Sequence, residues 1–256
     1  MRALVVPVKG LRTAKARLSG VLGPKERERL AWAMLQDVLA AVSAARGLDR
    51  KAVVTSDPAA AELAQRAGLE VVPCHGDPGE SAAVEVAARF LQDLGIKAML
   101  VLPADVPLVT AQDIQAVLEE DPLVPGVVLV PSRDGTGSNA VLRRPPGVIG
   151  SHFGSDSFRL HSHEARSKGV QCRVLHLPRV ALDVDTPQDL AQLVAQGHLV
   201  DVLLVVGVGA RGVEQLVRHG PLAWRLVEVR VRHQVEEVEL HRFAPSAPGG
   251  RPRFLS

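Results

Sequence analysis

The length, composition and charge of the chain limit the kinds of protein it can be. Its 256 residues suffice for one α/β domain of ordinary size with an appendage, and 30 basic against 28 acidic residues leave a net charge of only +2. This balance argues against a broad basic surface for nucleic acid or anionic membranes, and five Phe, two Trp and no Tyr offer no platform for stacking bases.

Strands and helices alternate along most of the chain. Short β-branched runs predict strands at Ala3 to Val8, Ala52 to Thr55, Glu70 to Pro73, Ala98 to Leu102, Val127 to Pro131 and Val170 to Leu177. Apolar residues at helical spacing predict a helix that begins near Pro24, and further helices at Ala59 to Ala67, Ser81 to Leu94, Ala111 to Glu119, Ser157 to Lys168 and Gln188 to Ala195. This alternation predicts a Rossmann-like α/β domain with a mostly parallel sheet flanked by helices.

In such a sheet, ligands bind beyond the carboxyl ends of the strands. The loops that begin at Lys9, Ser56, Pro103 and Ser132 are therefore expected to converge on one site.

The pattern changes after Gly197. Leu199 to Val208 is a strand candidate, and Ala223 to Leu240 alternates Val with charged residues at a period near two. We therefore predict a domain over residues 1–197 and a β-rich appendage over 198–256, which ends in a Pro/Gly-rich, disordered tail. Because the alternating valines would otherwise leave an apolar face exposed, we expect the appendage to be packed, with a homo-oligomer contact as one possible use. Too few residues follow the GxGxxG match at 207–212 for a dinucleotide-binding fold.

The loop after the first strand is basic. Lys9, Arg12, Lys15 and Arg17 occur before the first acidic residue of the chain, Glu26. A triphosphate needs such a local cluster, because Lys supplies a point charge and Arg a two-pronged donor. The position of the loop, between a strand and a helix, favours phosphate binding over the alternative of a solvated, flexible loop.

Three aspartates are candidates for binding Mg²⁺. Asp105 follows an apolar strand and lies between two prolines, whereas Asp183 and Asp185 lie two positions apart in an extended segment. Mg²⁺ is usually bound by one or two carboxylates together with substrate phosphates. The alternatives are that Asp105 forms a turn or a helix cap, and that Asp185 or Thr186 only caps the next helix.

Two segments of small residues are candidates for binding an anion. They are Asp134 to Ala140 and Phe153 to Phe158, in which glycines and hydroxyls could hold a phosphate or a carboxylate near the helix start at Ser157. Simple turns are the alternative for both. His161 and His163 lack an evident third metal ligand, so we expect at most one contact to a bound anion, or a place on a helix face.

The cysteines and the N-terminal segment indicate where the chain works. Cys74 and Cys172 lie far apart and outside any zinc motif, which is typical of free thiols in a reducing compartment. The apolar run at the N-terminus is short and is followed at once by Pro and Lys, so we expect neither a signal peptide nor a membrane span. The chain is therefore expected to be soluble and cytoplasmic.

Motifs for other catalytic strategies are missing from the sequence. It contains no G-x-S-x-G nucleophile, no Walker A loop and no kinase-type glycine loop. A phosphate nucleophile would explain this, because a phosphomonoester is already ionised near neutral pH and needs no catalytic base.

The ordered motifs are similar to those of one known family over about residues 1 to 196. They read P-V-K…A-K-x-R-L-S, L-P-A-D-V-P-L, G-T-G-S-N-A, F-G-S-D-S-F-R-x-H and L-D-V-D-T-P-x-D-L. This set resembles the 2-phospho-L-lactate and phosphoenolpyruvate guanylyltransferases of coenzyme F420 biosynthesis. The resemblance implies a glycosyltransferase-A-like fold, a requirement for GTP and Mg²⁺, and a product in which GMP is joined to a small phosphorylated acid.

The resemblance also implies roles for particular residues. Lys15, Arg17 and Asp105 would be catalytic, and the metal would be held by Asp105, Asp183 and Asp185. The nucleotide would be bound by Pro7, Lys9, Lys15, Arg17, Ser56, Asp57, Glu80 and Ser81. Glu80 and Ser81 lie in the segment Gly79 to Ala82, where many relatives have Gly-Leu-Asn instead. The acid would be bound by Ser138, Asn139, Gly154, Ser157 and His161.

Two other functions remain open from the sequence. Another cofactor or sugar-phosphate nucleotidyltransferase would carry the same phosphate loop and carboxylates. A nucleotide-binding regulator without catalysis is the second alternative, and the three retained aspartates argue against it.

Overall fold

A computed structural model describes residues 1–11, 14–74, 76, 79–194, 196, 227–231 and 238–242 of the chain. The chain divides into two units, of which the first comprises Met1–Ala14 and Ala31–Val184 and the second Lys15–Leu30 and Asp185–Ser256. None of the helices in the described residues combines the length and the apolar character needed to cross a membrane.

A seven-stranded sheet forms the centre of the first unit. Its strands are β1 (Arg2–Val8), β2 (Arg50–Thr55), β3 (Glu70–Pro73), β4 (Ala98–Val101), β5 (Gly126–Pro131), β6 (Ser138–Arg144) and β7 (Gln171–Val174). They lie in the order β3-β2-β1-β4-β6-β5-β7. Every neighbouring pair is parallel except the two that β6 makes, which are antiparallel. The mostly parallel sheet predicted from the sequence is thus confirmed.

Strand β6 corrects one prediction. The sequence predicts a loop of small residues over Asp134 to Ala140, but the strand already begins at Ser138. Ser and Asn carry little β-signal, and burial between two neighbouring strands decides the conformation here instead of local propensity.

The helices that the structure describes are α1 (Pro24–Ala44), α2 (Pro58–Arg66), α3 (Glu80–Asp93), α4 (Ala111–Glu119), α5 (Ser157–Ser167) and α6 (Pro187–Leu193). Their starts follow local chemistry. Asp57 accepts hydrogen bonds from the first backbone N–H groups of α2, and Thr110 and Asp113 form a reciprocal capping box at α4. Proline at the first position of α1, α2 and α6 supplies a backbone angle that already suits a helix.

Two apolar clusters cover the two faces of the sheet. Leu4 and Val6 of β1 belong to the cluster that includes buried residues of α1, α2 and α4. Ala3 and Val5 of the same strand belong to the other cluster, with residues of α3 and α5. Successive strand residues point to opposite faces, so the apolar residues of β1 are buried on both faces of the sheet.

In the second unit, the structure describes a 3-10 turn at Ala16–Leu18, the beginning of α1, helix α6 and two further strands. These strands, β8 (Val227–Val231) and β9 (Val238–Arg242), pair with each other in antiparallel fashion. They fall largely within the alternating segment predicted as β-structure. The strand predicted at Leu199 to Val208, the predicted disordered tail and Arg12 of the basic loop lie outside the described residues.

Candidate functional site

The carboxyl edge of the sheet in the first unit has a topological switch point between β1 and β4. The chain runs from β1 outward through β2 and β3, and then crosses to β4 on the other side of β1. A crevice at such a reversal is the usual ligand site of open α/β sheets. Lys9 follows β1 and Asp105 follows β4, so the structure places these two predicted residues at the ends of the strands that flank the switch point.

Two of the three candidate metal ligands lie on connected segments of the first unit. The backbone N–H of Val184 donates to the backbone oxygen of Asp105 at 3.0 Å, which ties the segment of Asp183 to the loop after β4. Asn139 at the start of β6 donates through Nδ2 to Asp183 Oδ1 at 2.9 Å and to the oxygen of Val180 at 3.0 Å. Asn139, predicted to contact the acid, therefore orients a carboxylate.

The helix after Asp105 is capped by another residue. Helix α4 begins after Thr110, whose side chain accepts from the N–H of Asp113. Asp105 therefore does not cap this helix, but it does lie in a turn, as the other part of that alternative predicts.

In the second unit, Asp185 is paired with two of the four cations of the predicted phosphate loop, Lys15 and Arg17. Lys15 Nζ lies 2.8 Å from Asp185 Oδ1, and Arg17 Nη1 lies 3.7 Å from Asp185 Oδ2. The side chain of Lys15 is only 8% exposed, whereas those of Asp185 and Arg17 are 38% and 71% exposed. The well-ordered contact is thus the one between Lys15 and Asp185.

The cap of α6 resolves the other alternative for Asp185. Thr186 accepts from the N–H of Asp189, and Asp189 accepts in return from the N–H and the hydroxyl of Thr186. Thr186 therefore caps the helix, and the side chain of Asp185 faces the cations.

The donor set can be tested against the preferences of Mg²⁺. Among the described residues, no group of three or more His, Cys, Asp and Glu side chains is arranged to hold a metal ion. Mg²⁺, however, keeps several waters and usually takes only one or two protein carboxylates together with substrate phosphates. Asp105 and Asp183 are hard oxygen donors on segments joined by a hydrogen bond, so they fit such an ion.

The residues predicted for the nucleotide have different surroundings. Pro7 is buried within β1, and Lys9 is exposed, with its Nζ 3.8 Å from Glu80 Oε2 at the start of α3. Ser56 is exposed after β2. Asp57 uses one carboxylate oxygen to cap α2 and the other to accept from the N–H of Leu11 at 3.1 Å. Asp57 therefore anchors the loop after β1.

The predicted nucleotide and acid segments meet at the start of α3. Ser81 donates through its hydroxyl to the backbone oxygen of Phe153 at 3.3 Å. Gly154 follows with a φ of 121°, a conformation that a residue with a side chain rarely adopts. The chain therefore turns sharply here and enters α5.

Ser138, Ser157 and His161 lie together where β6 and α5 begin. The N–H of Ser138 donates to Ser157 Oγ at 2.8 Å, and Ser138 Oγ lies 3.1 Å from His161 Nδ1. His161 has no exposed surface, and its Nε2 accepts from the N–H of His152 at 2.9 Å. Burial lowers the pKa of His161 to about 4, so the ring is neutral near pH 7. His161 therefore lies behind the predicted acid pocket and not on its surface.

Two residues around this pocket were not predicted. His152 Nε2 lies 2.5 Å from Glu164 Oε2, and Glu164 also accepts from the N–H of Gly150. Although burial raises the pKa of Glu164, hydrogen bonds from Lys168, Gly150 and His152 lower it to about 2. The spacing of Ser157, His161 and Glu164 on one helix face is a signal that the sequence did contain.

Comparisons with known proteins identify the family to which the chain is similar. The family model described as "Guanylyl transferase CofC like" matches residues 1–201. The chain is 44% identical over 193 residues to the phosphoenolpyruvate guanylyltransferase of Rubrobacter xylanophilus, covering 75% of this chain and 93% of that protein. It is 34% identical over 194 residues to the 2-phospho-L-lactate guanylyltransferase of Methanothermobacter thermautotrophicus, with 76% and 92% covered. It is 32% identical over 190 residues to the 3-phospho-D-glycerate guanylyltransferase of Colwellia psychrerythraea, with 74% and 90% covered.

A solved structure confirms the fold. The chain matches a protein described as a nucleotide-diphospho-sugar transferase from Desulfovibrio desulfuricans G20 with a TM-score of 0.66. The match covers 86% of this chain and 98% of that one at 17% identity, a level at which it shows the nucleotidyltransferase fold alone.

Proposed function

Because the chain belongs to the guanylyl transferase CofC-like family, whose model matches residues 1–201, we propose that it transfers GMP from GTP to a small phosphorylated acid. The observation that carries the proposal is the agreement among the relatives. Three of them are named guanylyltransferases and differ only in the acid, which is phosphoenolpyruvate, 2-phospho-L-lactate or 3-phospho-D-glycerate. The donor is thus common to them, and the acceptor varies among three-carbon acids.

The reaction needs alignment and charge neutralisation more than it needs a base. A phosphate oxygen of the acid attacks the α-phosphorus of GTP, a new P–O bond forms, and the bond to the β-phosphate breaks to release pyrophosphate. The attacking oxygen is already ionised near neutral pH. The protein must therefore bring two anions together and stabilise the charge on the departing pyrophosphate.

The cations of the loop after β1 suit the nucleotide phosphates. The Lys15 ammonium is fixed by Asp185, and Arg17 lies beside the same carboxylate with most of its surface exposed. An ammonium group held in position and an exposed guanidinium group can both bind phosphate oxygens. We assign Lys15 and Arg17 to the triphosphate, and Lys9 with Glu80 to the nucleoside side of the crevice in the first unit.

The carboxylates suit a divalent cation. Asp105 and Asp183 would hold Mg²⁺ on the first unit. When bound, Mg²⁺ would neutralise phosphate charge and lower the mutual repulsion of the two substrates. Asn139 holds the carboxylate of Asp183 in a fixed orientation for this purpose.

The pocket at the start of β6 and α5 suits the acid. The hydroxyl-bearing residues Ser138 and Ser157 are in contact, and the turn at Gly154 leads into α5. The N-terminus of a helix favours anions. We therefore assign these residues to the phosphorylated acid. Such a reaction would belong to coenzyme F420 biosynthesis, as the similarity of the motifs implies.

A pyrophosphate-release assay tests the proposal. Each of four nucleoside triphosphates would be combined with phosphoenolpyruvate, 2-phospho-L-lactate, 3-phospho-D-glycerate and, as a control, a sugar phosphate, with and without Mg²⁺. We expect turnover with GTP and one of the three acids, and only when Mg²⁺ is present. Equal or faster turnover with the sugar phosphate, or no preference for GTP, would refute the proposal.

A further inference from the structure

One face of α5 makes hydrogen bonds to two separate segments of the first unit. Ser157, His161 and Glu164 are spaced four and three residues apart and so lie on the same side of the helix. Ser157 accepts from the N–H of Ser138 in β6, whereas Glu164 accepts from the N–H of Gly150 in the loop before the helix. His161 lies between them and contacts both segments.

The hydrogen bonds of His161 define which nitrogen carries the proton. Nε2 accepts from the N–H of His152 at 2.9 Å, so it must hold a lone pair. The proton of the neutral ring is therefore on Nδ1, which donates to Ser138 Oγ at 3.1 Å. A hydroxyl oxygen that accepts from the ring presents its own proton in another direction, as a donor to a different group.

We infer that His161 is a positioning residue for the phosphorylated acid, which orients the hydroxyl proton of Ser138 and the segment after His152 without touching the substrate itself. The inference rests on the proposed function, because it assigns the ligand of this pocket to the acid. It replaces the direct contact between His161 and the acid that the motifs imply, since the ring is fully buried and both of its nitrogens are engaged.

The surroundings of the ring keep it neutral. Burial, the nearby His152 and the buried guanidinium of Arg143 all lower the pKa of His161, and Glu164 only partly opposes them. The ring of His152 lies 5.5 Å away between centroids, and Phe153 packs edge-on at 5.2 Å. A protonated ring would lose the lone pair that accepts from the His152 N–H, so the neutral form is the one that holds this segment.

The test compares three variants at two positions. His161→Phe removes both hydrogen bonds but keeps a ring of similar size, and His161→Asn restores a side-chain amide that can donate. His163→Phe is the matched control, because His163 is exposed on the same helix. For each protein, KM for the acid, KM for GTP and the melting temperature are measured, and nitrogen NMR of labelled histidine identifies the protonated ring nitrogen in the wild type.

The positioning role predicts a selective loss. One net hydrogen bond corresponds to a rise in KM for the acid of about five- to tenfold in His161→Phe, with KM for GTP almost unchanged. We expect His161→Asn to recover part of this loss, His163→Phe to resemble the wild type, and NMR to show the proton on Nδ1.

Several results would overturn the inference. The inference fails if His161→Phe has a normal KM for the acid, or if both KM values rise equally. It also fails if the proton is on Nε2. A fall in melting temperature with unchanged KM would show that His161 has only a structural role. In these cases the wild type still transfers GMP, so the proposed function stands. A wild type that transfers GMP to none of the three acids would refute both.

Discussion

Lys15 occupies an unusual backbone conformation for a residue with a side chain. Its φ of 58° and ψ of 40° lie in the left-handed region, which costs a non-glycine residue about 1 kcal/mol or more. The side chain is nevertheless nearly buried and its ammonium group contacts Asp185. A residue held in this way has little freedom to reorganise, which is a property expected of a charge that must be in place before the substrate arrives.

Replacing Lys15 tests this role. We expect Lys15→Met to lower kcat/KM for GTP by about two orders of magnitude, which is typical for the loss of one preorganised electrostatic contact. Lys25→Met, which removes an exposed lysine at the start of α1, is the control and should leave kcat/KM unchanged. Similar kinetics in the two variants would remove Lys15 from the nucleotide site.

His161 makes the stability of the protein depend on pH in a defined window. Its pKa is about 4 in the folded protein, against 6.5 for the unperturbed group. Between these values the unfolded chain binds more protons than the folded protein, so the free energy of unfolding rises with pH. The contribution of His161 is therefore lost as pH falls through this window.

For the wild type, we expect the contribution of His161 to the free energy of unfolding to fall by about 2 kcal/mol when the pH is lowered from about 7 to about 5. His161→Phe should show a correspondingly smaller change, as measured by urea unfolding at both pH values. Both measurements lie above the range in which Glu164 titrates. An identical pH dependence in the two proteins would contradict a depressed pKa at His161.

At the level of elements, the beginning of α6 separates two neighbouring roles. Thr186 and Asp189 satisfy the first N–H groups of the helix, whereas Asp185, one residue earlier, pairs with Lys15. The same short segment thus combines a structural cap with a charged group of the candidate site.

Substitutions in this segment should have opposite effects. Thr186→Ala is expected to lower the free energy of unfolding by about 1 kcal/mol and to leave kcat almost unchanged, because only the cap is lost. Asp185→Asn is expected to reduce kcat/KM by at least about a hundredfold with a smaller effect on unfolding. Denaturant unfolding and steady-state kinetics on both variants check this; a Thr186→Ala enzyme as impaired as Asp185→Asn would show that the two roles are not separate.

The sequence predicted the regular elements better than it predicted the pocket around the acid. A β-branched run located β1 to within one residue, and apolar residues at helical spacing after Pro24 located the start of α1, because burial on the sheet faces dictates residue type there. Ser138 was assigned to a loop, because its burial depends on strands distant in sequence. The contacts of His152 and Glu164 could not be predicted for the same reason, since they join a loop to a helix through tertiary packing.

At the scale of the whole molecule, the topology of the sheet determines where the carboxylates lie. Asp105 comes from the loop after β4, and the hydrogen bond from Val184 brings Asp183 to that loop, although the two aspartates are far apart in sequence. Two loops from different parts of the chain thus carry the two carboxylates that we propose as ligands.

Neutralising these carboxylates tests the metal site. In Asp105→Asn and Asp183→Asn we expect activity to fall by at least about a hundredfold and the stabilisation of the protein by Mg²⁺ with GTP to disappear. The melting temperature of the free protein should change little, since an amide oxygen at position 183 can still accept from Asn139. Near-normal turnover and an intact response to Mg²⁺ in both variants would eliminate the proposed ligands.

The C-terminal region presents a separate question for the whole molecule. The family match ends at residue 201, and an alignment of 193 residues already covers 93% of the relative from Rubrobacter xylanophilus. From the alternating valines of the sequence we expect removal of residues 198–256 to change solubility or assembly state, as measured by light scattering. A truncated chain that stays soluble, fully active and unchanged in assembly would rule out the predicted accessory role.

The reversed direction of β6 has a consequence for how substrate choice can change. Because β6 runs against β4 and β5, its first residues lie at the same edge of the sheet as the last residues of those strands. One edge therefore combines the carboxylate of Asp105, which follows β4, with the hydroxyl-bearing start of β6, on separate stretches of chain. On the proposed assignments, we expect mutations near Ser138 or in α5 to change the preferred acid and to leave the residues assigned to GTP unchanged. Such a separation would let one scaffold diversify toward the different acids for which its relatives are named.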